Sequence, residues 1–147
     1  MPPDPDAVQK VVDATHLAVL ATTRADGRVH ASLVSAGLID DPITGERSIG
    51  AVVAGGARKL EHLRRSGRAA AVFTQGYRWV SVEGPVRIVG PDDPVDGFPP
   101  AELPALLRRV FVAAGGTHDD WDAYDRAMAE ERRAAVFIQA ERTTGNA

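Results

Sequence analysis

The chain has no cysteine among its 147 residues, which excludes disulfide frameworks, thiolate nucleophiles, iron–sulfur ligation and cysteine-based zinc sites. Redox chemistry would have to come from a bound organic cofactor. Aromatic residues are scarce, at 5%, and no apolar run approaches the length of a membrane-spanning helix. The opening Met1-Pro2-Pro3-Asp4-Pro5-Asp6 carries neither the basic nor the apolar stretch of a secretory leader. A cytoplasmic location with no membrane partner is expected.

Positive charge is also in short supply. The formal net charge is −3 and the pI is near 5.8, so the chain lacks the global basic field of a nucleic-acid binder. No nucleic-acid partner is expected, and any bound anion must be held by a local cluster. The nucleotide loops of the Gly-x-Gly-x-x-Gly and Gly-Lys-Ser/Thr kinds and the Gly-x-Ser-x-Gly elbow are absent. His16, His30, His62 and His118 are scattered without i, i+4 ligand spacing, so they read as ordinary surface or strand histidines and no metal site is expected.

What is present fits one core. A chain of this length that is 44% hydrophobic closes one domain, spanning residues 1–147. Asp4 and Pro5 have the form of an N-cap and first helical residue, with Val8, Val11 and Val12 at helical spacing. Extended stretches follow at His16–Thr23 and Arg28–Ile39 around the turn Arg24-Ala25-Asp26-Gly27, a hairpin signal. Arg47–Ala54 reads as a third strand, Ala57–Ser66 as a short helix stopped by Gly67, and Arg68–Gln75 and Tyr77–Gly90 as two further strands. The second of these is interrupted, as by a bulge or bend, at Glu83-Gly84-Pro85. Two helices around Gly115-Gly116 make a helical insertion over about 98–133, and Ala134–Ala140 supplies a last strand. Hairpin-length connections and the lack of βαβ alternation predict a mainly β fold, an antiparallel barrel with peripheral helices.

Chemistry points to one segment. Between Arg58 and Arg68 stand Arg58, Lys59, Arg64, Arg65 and Arg68 against the single acid Glu61. They follow a Gly55-Gly56 turn at a helix N-terminus, where unpaired N–H groups and the helix dipole favour an anion. A solvated basic helix behind a reversal turn is the competing reading. The acidic run Asp119–Glu131 is read as a solvated helix face without catalysis. Tyr77 and Trp79 are read first as core or interface residues, and Trp79 second as a ring stacked on a cofactor.

Three runs carry a family resemblance: Leu17 to Ser32 through Arg24-Ala25-Asp26-Gly27, Ala57-Arg58-Lys59-Leu60 through Phe73, and Arg78-Trp79-Val80-Ser81-Val82-Glu83-Gly84-Pro85-Val86. In this order the chain resembles the pyridoxamine 5'-phosphate oxidase-like split β-barrel superfamily, and within it the actinobacterial deazaflavin-dependent reductases. The resemblance implies a six-stranded antiparallel split β-barrel of the FMN-binding kind. It implies a homodimer with a cofactor groove shared between protomers. It also implies hydride transfer between coenzyme F420 and a small, apolar or conjugated acceptor, with no obligatory acid or base residue. FMN is the alternative cofactor, and a non-catalytic flavin, deazaflavin or tetrapyrrole binder is a third reading. Carried onto this sequence, Arg58 and Lys59 with the backbone of Gly56 and Ala57 would hold the cofactor phosphate, and Ser32, Val34, Val52 and Val53 would border the ring. FMN-binding members have Ser-Arg-Lys where this chain has Ala57-Arg58-Lys59, a basic residue where it has Ser32, and Gln where it has Trp79.

Overall fold

The computed structural model describes residues 2–147. The chain opens with α1 (Pro5–Thr15), whose N-cap Asp4 accepts a hydrogen bond from the Asp6 amide at 2.8 Å. Val8, Val11 and Val12 of this helix are buried in the main core.

Strands β1 (Leu17–Thr23) and β2 (Val29–Ser35) pair antiparallel across the Arg24–Arg28 turn. The extended stretch expected to run on to Ile39 is divided at Ala36. β3 (Gly37–Asp40) leaves β1 and pairs with β4 (Arg47–Val53) instead. The last contact of the β1–β2 ladder is the Ala36 amide donating to the His16 carbonyl at 2.8 Å; His16 is the C-cap of α1, so there is no extended residue before it for the chain to pair with. Next come α2 (Arg58–Ser66), stopped by Gly67 in the left-handed region at φ 69°, then β5 (Arg68–Gln75) and β6 (Arg78–Val89).

A single 3-10 turn precedes α3 (Leu103–Ala113), which is followed by α4 (Trp121–Glu130), β7 (Ala134–Gln139) and β8 (Arg142–Gly145). Eight strands therefore stand where six were expected, the additions being β3, split from β2, and β8. The strand order is β2-β1-β5-β6-β7-β4-β3, with β8 on β6. β2 and β3 lie at opposite ends of this path, yet only Ala36 separates them in the chain. The sheet must therefore curl until its ends approach without pairing, an antiparallel barrel left split. Glu83-Gly84-Pro85 does not break β6; it marks where the strand's neighbour changes from β8 to β7.

The two faces of β7 explain the helical insertion. Ala134, Val136 and Ile138 enter the main core beside Leu20, Ile49, Phe73, Val80 and α1. Ala135 and Phe137 point the other way, into a second core with Leu106, Leu107, Val110 and Tyr124. A strand covered on both sides has no polar face, which is why this one reads as an unbroken apolar run. Arg108 of α3 donates through Nε to Asp125 of α4 at 2.9 Å, so one acid of the run read as a solvated face ties the two helices together. Asp120, from the same run, caps α4 by accepting from the Ala123 amide at 3.1 Å. No described helix is long and apolar enough to cross a membrane.

Candidate functional site

Between β2, β4 and the helical insertion lies a groove of about 440 Å³, within the size range of small-molecule sites. Val34 of β2 and Val52 and Val53 of β4 form its apolar floor, and Ala57 and Lys59 close one end at the first turn of α2. The opposite wall comes from the helices, as Phe111 of α3 and Tyr124 and Met128 of α4, with Arg133 beside them. Five residues expected at a cofactor site, Val34, Val52, Val53, Ala57 and Lys59, are thus brought together.

The turn that leads into α2 has two different glycines. A Cβ on Gly55 would stand 2.5 Å from the Arg132 carbonyl oxygen and 2.8 Å from its Cβ. The Gly55 amide donates to the Glu131 carbonyl at 3.0 Å. Gly55 is therefore a packing glycine that lets the turn seat against the end of α4. A Cβ on Gly56 would meet nothing within 4 Å, so the backbone there is open to solvent or to a ligand. Ala57, the N-cap of α2, brings no side-chain acceptor. The Ala57 amide donates to the Ala54 carbonyl and the Leu60 amide to the Ala57 carbonyl, both at 3.1 Å, so the Arg58 and Lys59 N–H groups are those left for an external partner, with the positive end of the helix dipole behind them.

The remaining expected residues lie elsewhere. Arg58 lines a separate cavity with Arg24, His30 and His62. Ser32 lies between His30 and Val34 on one face of β2, and its Oγ is buried without a hydrogen-bond partner. Trp79 is absent from the groove of its own chain. It sits opposite Thr74 on β5 and is 39% exposed, while its amide donates to Asn146 Oδ1 at 2.8 Å. Tyr77 is almost fully exposed. Of the core or interface reading of this pair, the core half is excluded, because Tyr77 occupies the β5–β6 turn and Trp79 the outer face of the sheet.

The groove contains no carboxylate; its charged lining groups are Lys59 and Arg133. Arg133 donates through Nη2 to Glu131 at 3.2 Å, and its Nε is buried without a partner. An orphaned donor in a groove wall is a position that a ligand acceptor would satisfy. Burial pushes the Tyr124 phenol up to about 12, so it stays protonated at neutral pH, and its hydroxyl donates to the Leu107 carbonyl at 3.1 Å. Tyr124 is thus a wall and not a proton shuttle. Phe111 and Tyr124 meet at 4.9 Å between ring centres, with Trp121 and His118 packed behind them.

Phe111, Tyr124, Met128 and Arg133 were not found from sequence. Their only signal was an aromatic on each of two helices flanking Gly115-Gly116, which ordinary core packing explains equally well. Among the described residues no group of three or more histidine and acidic side chains could hold a metal ion.

The profile of the pyridoxamine 5'-phosphate oxidase family matches residues 4–109. The chain is similar to the F420H(2)-dependent biliverdin reductase of Mycobacterium tuberculosis, with 30% identity over 132 residues, 90% of this chain and 80% of that protein. Among solved structures it is similar to a conserved hypothetical protein from Mycobacterium tuberculosis, with TM-score 0.71 and 24% identity over 97% of this chain and 84% of that one. It is also similar to an F420 reductase, with TM-score 0.59 and 18% identity over 92% of this chain and 94% of that one. At these identities the two structures attest the fold.

Proposed function

The chain belongs to the pyridoxamine 5'-phosphate oxidase family, and from that premise we propose that it is a deazaflavin-dependent oxidoreductase. It passes a hydride between coenzyme F420 and a small apolar or conjugated organic acceptor. The observation that carries this reading is the groove itself: apolar along its floor, free of carboxylates, and furnished with Lys59 and Arg133 as its charged groups. The F420H(2)-dependent activity in the name of the 30% identical relative supports it.

The residues present fit such a cofactor. Lys59, the open backbone at Gly56 and the uncapped start of α2 would hold an acidic group. Val34, Val52 and Val53 would border a flat ring. When bound, a reduced deazaflavin supplies the hydride, so the protein need only position the reactants and keep water out. Phe111, Tyr124 and Met128 do the latter from the far side. These three lie beyond the residues matched to the family.

The reading includes a second copy of the chain. On the outer face of the sheet, Leu33, Val19 and Val72 lie side by side by register across β2, β1 and β5. Leu33 is 64% exposed and Val19 44%. With Leu17, Val29 and Trp79 also exposed, the face has the apolar character of a homodimer surface.

FMN is the second reading, favoured by the family's own cofactor chemistry and opposed by the uncharged Ser32. Side-by-side calorimetric or fluorescence titration with F420 and FMN tests the choice. F420 is expected to bind at least tenfold more tightly. The reverse order would establish the FMN reading, and tight binding without oxidation of the reduced cofactor by any acceptor would make the chain a carrier.

A further inference from the structure

The chain leaves β6 through Gly90-Pro91-Asp92-Asp93, a turn closed by the Asp93 amide donating to the Gly90 carbonyl at 3.1 Å. None of these residues lines the groove, yet the two acids hold the two segments that carry its charged groups. Asp93 accepts from Arg64 of α2 through Nε at 2.8 Å and Nη2 at 2.7 Å. Asp92 accepts from Arg132 through Nε at 3.1 Å and also through Nη2. Arg64 shares α2 with Lys59, and Arg132 immediately precedes Arg133. Two-pronged pairs of guanidinium and carboxylate fix orientation as well as distance.

Arg132 stands where the backbone favours glycine. At the end of α4 its amide donates to the Ala129 carbonyl at 3.2 Å, and the Arg133 amide donates to the Met128 carbonyl at 3.0 Å. This is the Schellman ending of a helix, and its left-handed position suits glycine. Arg132 occupies that position at φ 49°, with its guanidinium on Asp92. The same ending sets Met128 and Arg133 together in the groove wall.

Arg132 also meets the turn that leads to Lys59. Its carbonyl oxygen would stand 2.5 Å from a Cβ on Gly55, and the Gly55 amide donates to the neighbouring Glu131 carbonyl at 3.0 Å. One residue therefore touches the approach to Lys59 on one side and leads into Arg133 on the other. Asp92 holds it in place.

We propose that Asp92 and Asp93 are positioning residues, a clamp outside the groove that sets the spacing between Lys59 and Arg133 and so how well the two meet the acidic groups of a bound cofactor. The inference rests on the reading of the groove as the cofactor site. The side chains of Asp92 and Arg132 are about half exposed, and exposed pairs add little to global stability. The effect of this pair is expected in the placement of the groove cations and not in Tm.

The ligand-free protein tests the clamp by itself. Hydrogen exchange of the Gly55 amide should be at least about fivefold faster in Asp92→Asn and in Arg132→Gly, while Tm holds within a few degrees. Glycine keeps the left-handed backbone in the second variant, so only the tie to Asp92 is lost. Titration with coenzyme F420, or with FMN if FMN binds the wild type more tightly, then reads the consequence for binding. Asp92→Asn should weaken binding about threefold alone and hardly at all when Arg133→Gln is already present, because its effect runs through Arg133. Asp93→Asn should behave in the same way toward Lys59→Ala, with Arg64→Gln in its place if Asp93→Asn fails to fold. Additive effects in either cycle, or unchanged Gly55 exchange in both variants, overturn the clamp. Should Lys59→Ala and Arg133→Gln themselves keep wild-type affinity, the cofactor reading of the groove falls, and the exchange rates still decide the clamp.

Discussion

Arg58 and Lys59 are consecutive residues on the first turn of α2, and their side chains diverge: Lys59 enters the groove beside Val52 and Val53, and Arg58 enters the cavity with Arg24 and His62. Successive residues on a helix are about 100° apart, so both cannot serve one face.

Lys59→Ala is expected to weaken cofactor binding about tenfold, the ~1.4 kcal/mol of one charge-assisted contact. Binding should also become less sensitive to salt, because a partly exposed ionic contact is screened. Arg133→Gln should act in the same direction. Titrations at two ionic strengths check both; wild-type affinity with an unaltered salt response in the two variants would remove the cations from the site.

Replacing Leu33 or Val19 by Glu should leave the fold intact, since both side chains stand on the outer face of the sheet, and should shift the chain toward the monomer. Sedimentation velocity reads the change. A wild-type protein that is already monomeric at tens of micromolar would refute the dimer.

Asp41 lies in the β3–β4 loop. It accepts from the amides of Ile43 at 2.8 Å and Thr44 at 3.0 Å and from Arg87 Nε at 2.7 Å. Burial pushes its carboxyl up, and the bonds from Thr44, Arg87 and Ile43 outweigh this, so it titrates below its ordinary value. The folded state thus binds this proton less readily than the unfolded chain, and the resulting stability is present above about pH 4 and lost as pH falls through the folded value. Asp41→Asn should cost about 1–2 kcal/mol at pH 7. The gap between variant and wild type should close in urea titrations below pH 3; a constant gap would show that the carboxylate charge is not involved.

The Gly-Gly turn separates packing from binding. Gly55→Ala drives a Cβ into the Arg132 backbone and should cost about 1–3 kcal/mol by overpacking, seen as a Tm lower by several degrees. Gly56→Ala should leave Tm within a degree or two and reduce cofactor affinity by narrowing the open backbone. Equal thermal effects from the two changes would contradict the assignment.

How far the sequence reached follows from the range of the interactions involved. The α1 cap at Asp4, the Gly67 stop and the β1–β2 turn are local, and local residue chemistry decides them. The groove floor at Val34, Val52 and Val53 was reached only through the family resemblance, because nothing local marks those valines out from the rest of β2 and β4. The division at Ala36 was not legible, because Arg28–Ile39 is extended throughout and only long-range pairing decides that β3 joins β4. Nor was the far wall of the groove, since nothing in the spacing of Phe111 and Tyr124 says that their helices fold back over β4. Whether Trp79 belongs to the core or to an interface was not legible either, because an aromatic in a β-branched strand fits either face of a sheet until the register is known.

The order of strands also has a temporal meaning. Val53 of β4 pairs with Ala134 of β7, so one side of β4 stays without hydrogen-bond partners until nearly all of the intervening chain has been synthesised. Until then β4 is an open edge with the apolar core Ser-Ile-Gly-Ala-Val-Val, the kind of segment that pairs with the wrong neighbour. The residues that make the groove floor are thus also those most exposed to misassembly while the protein is being made, and slowing synthesis between α3 and β7 would be expected to lower the yield of native protein.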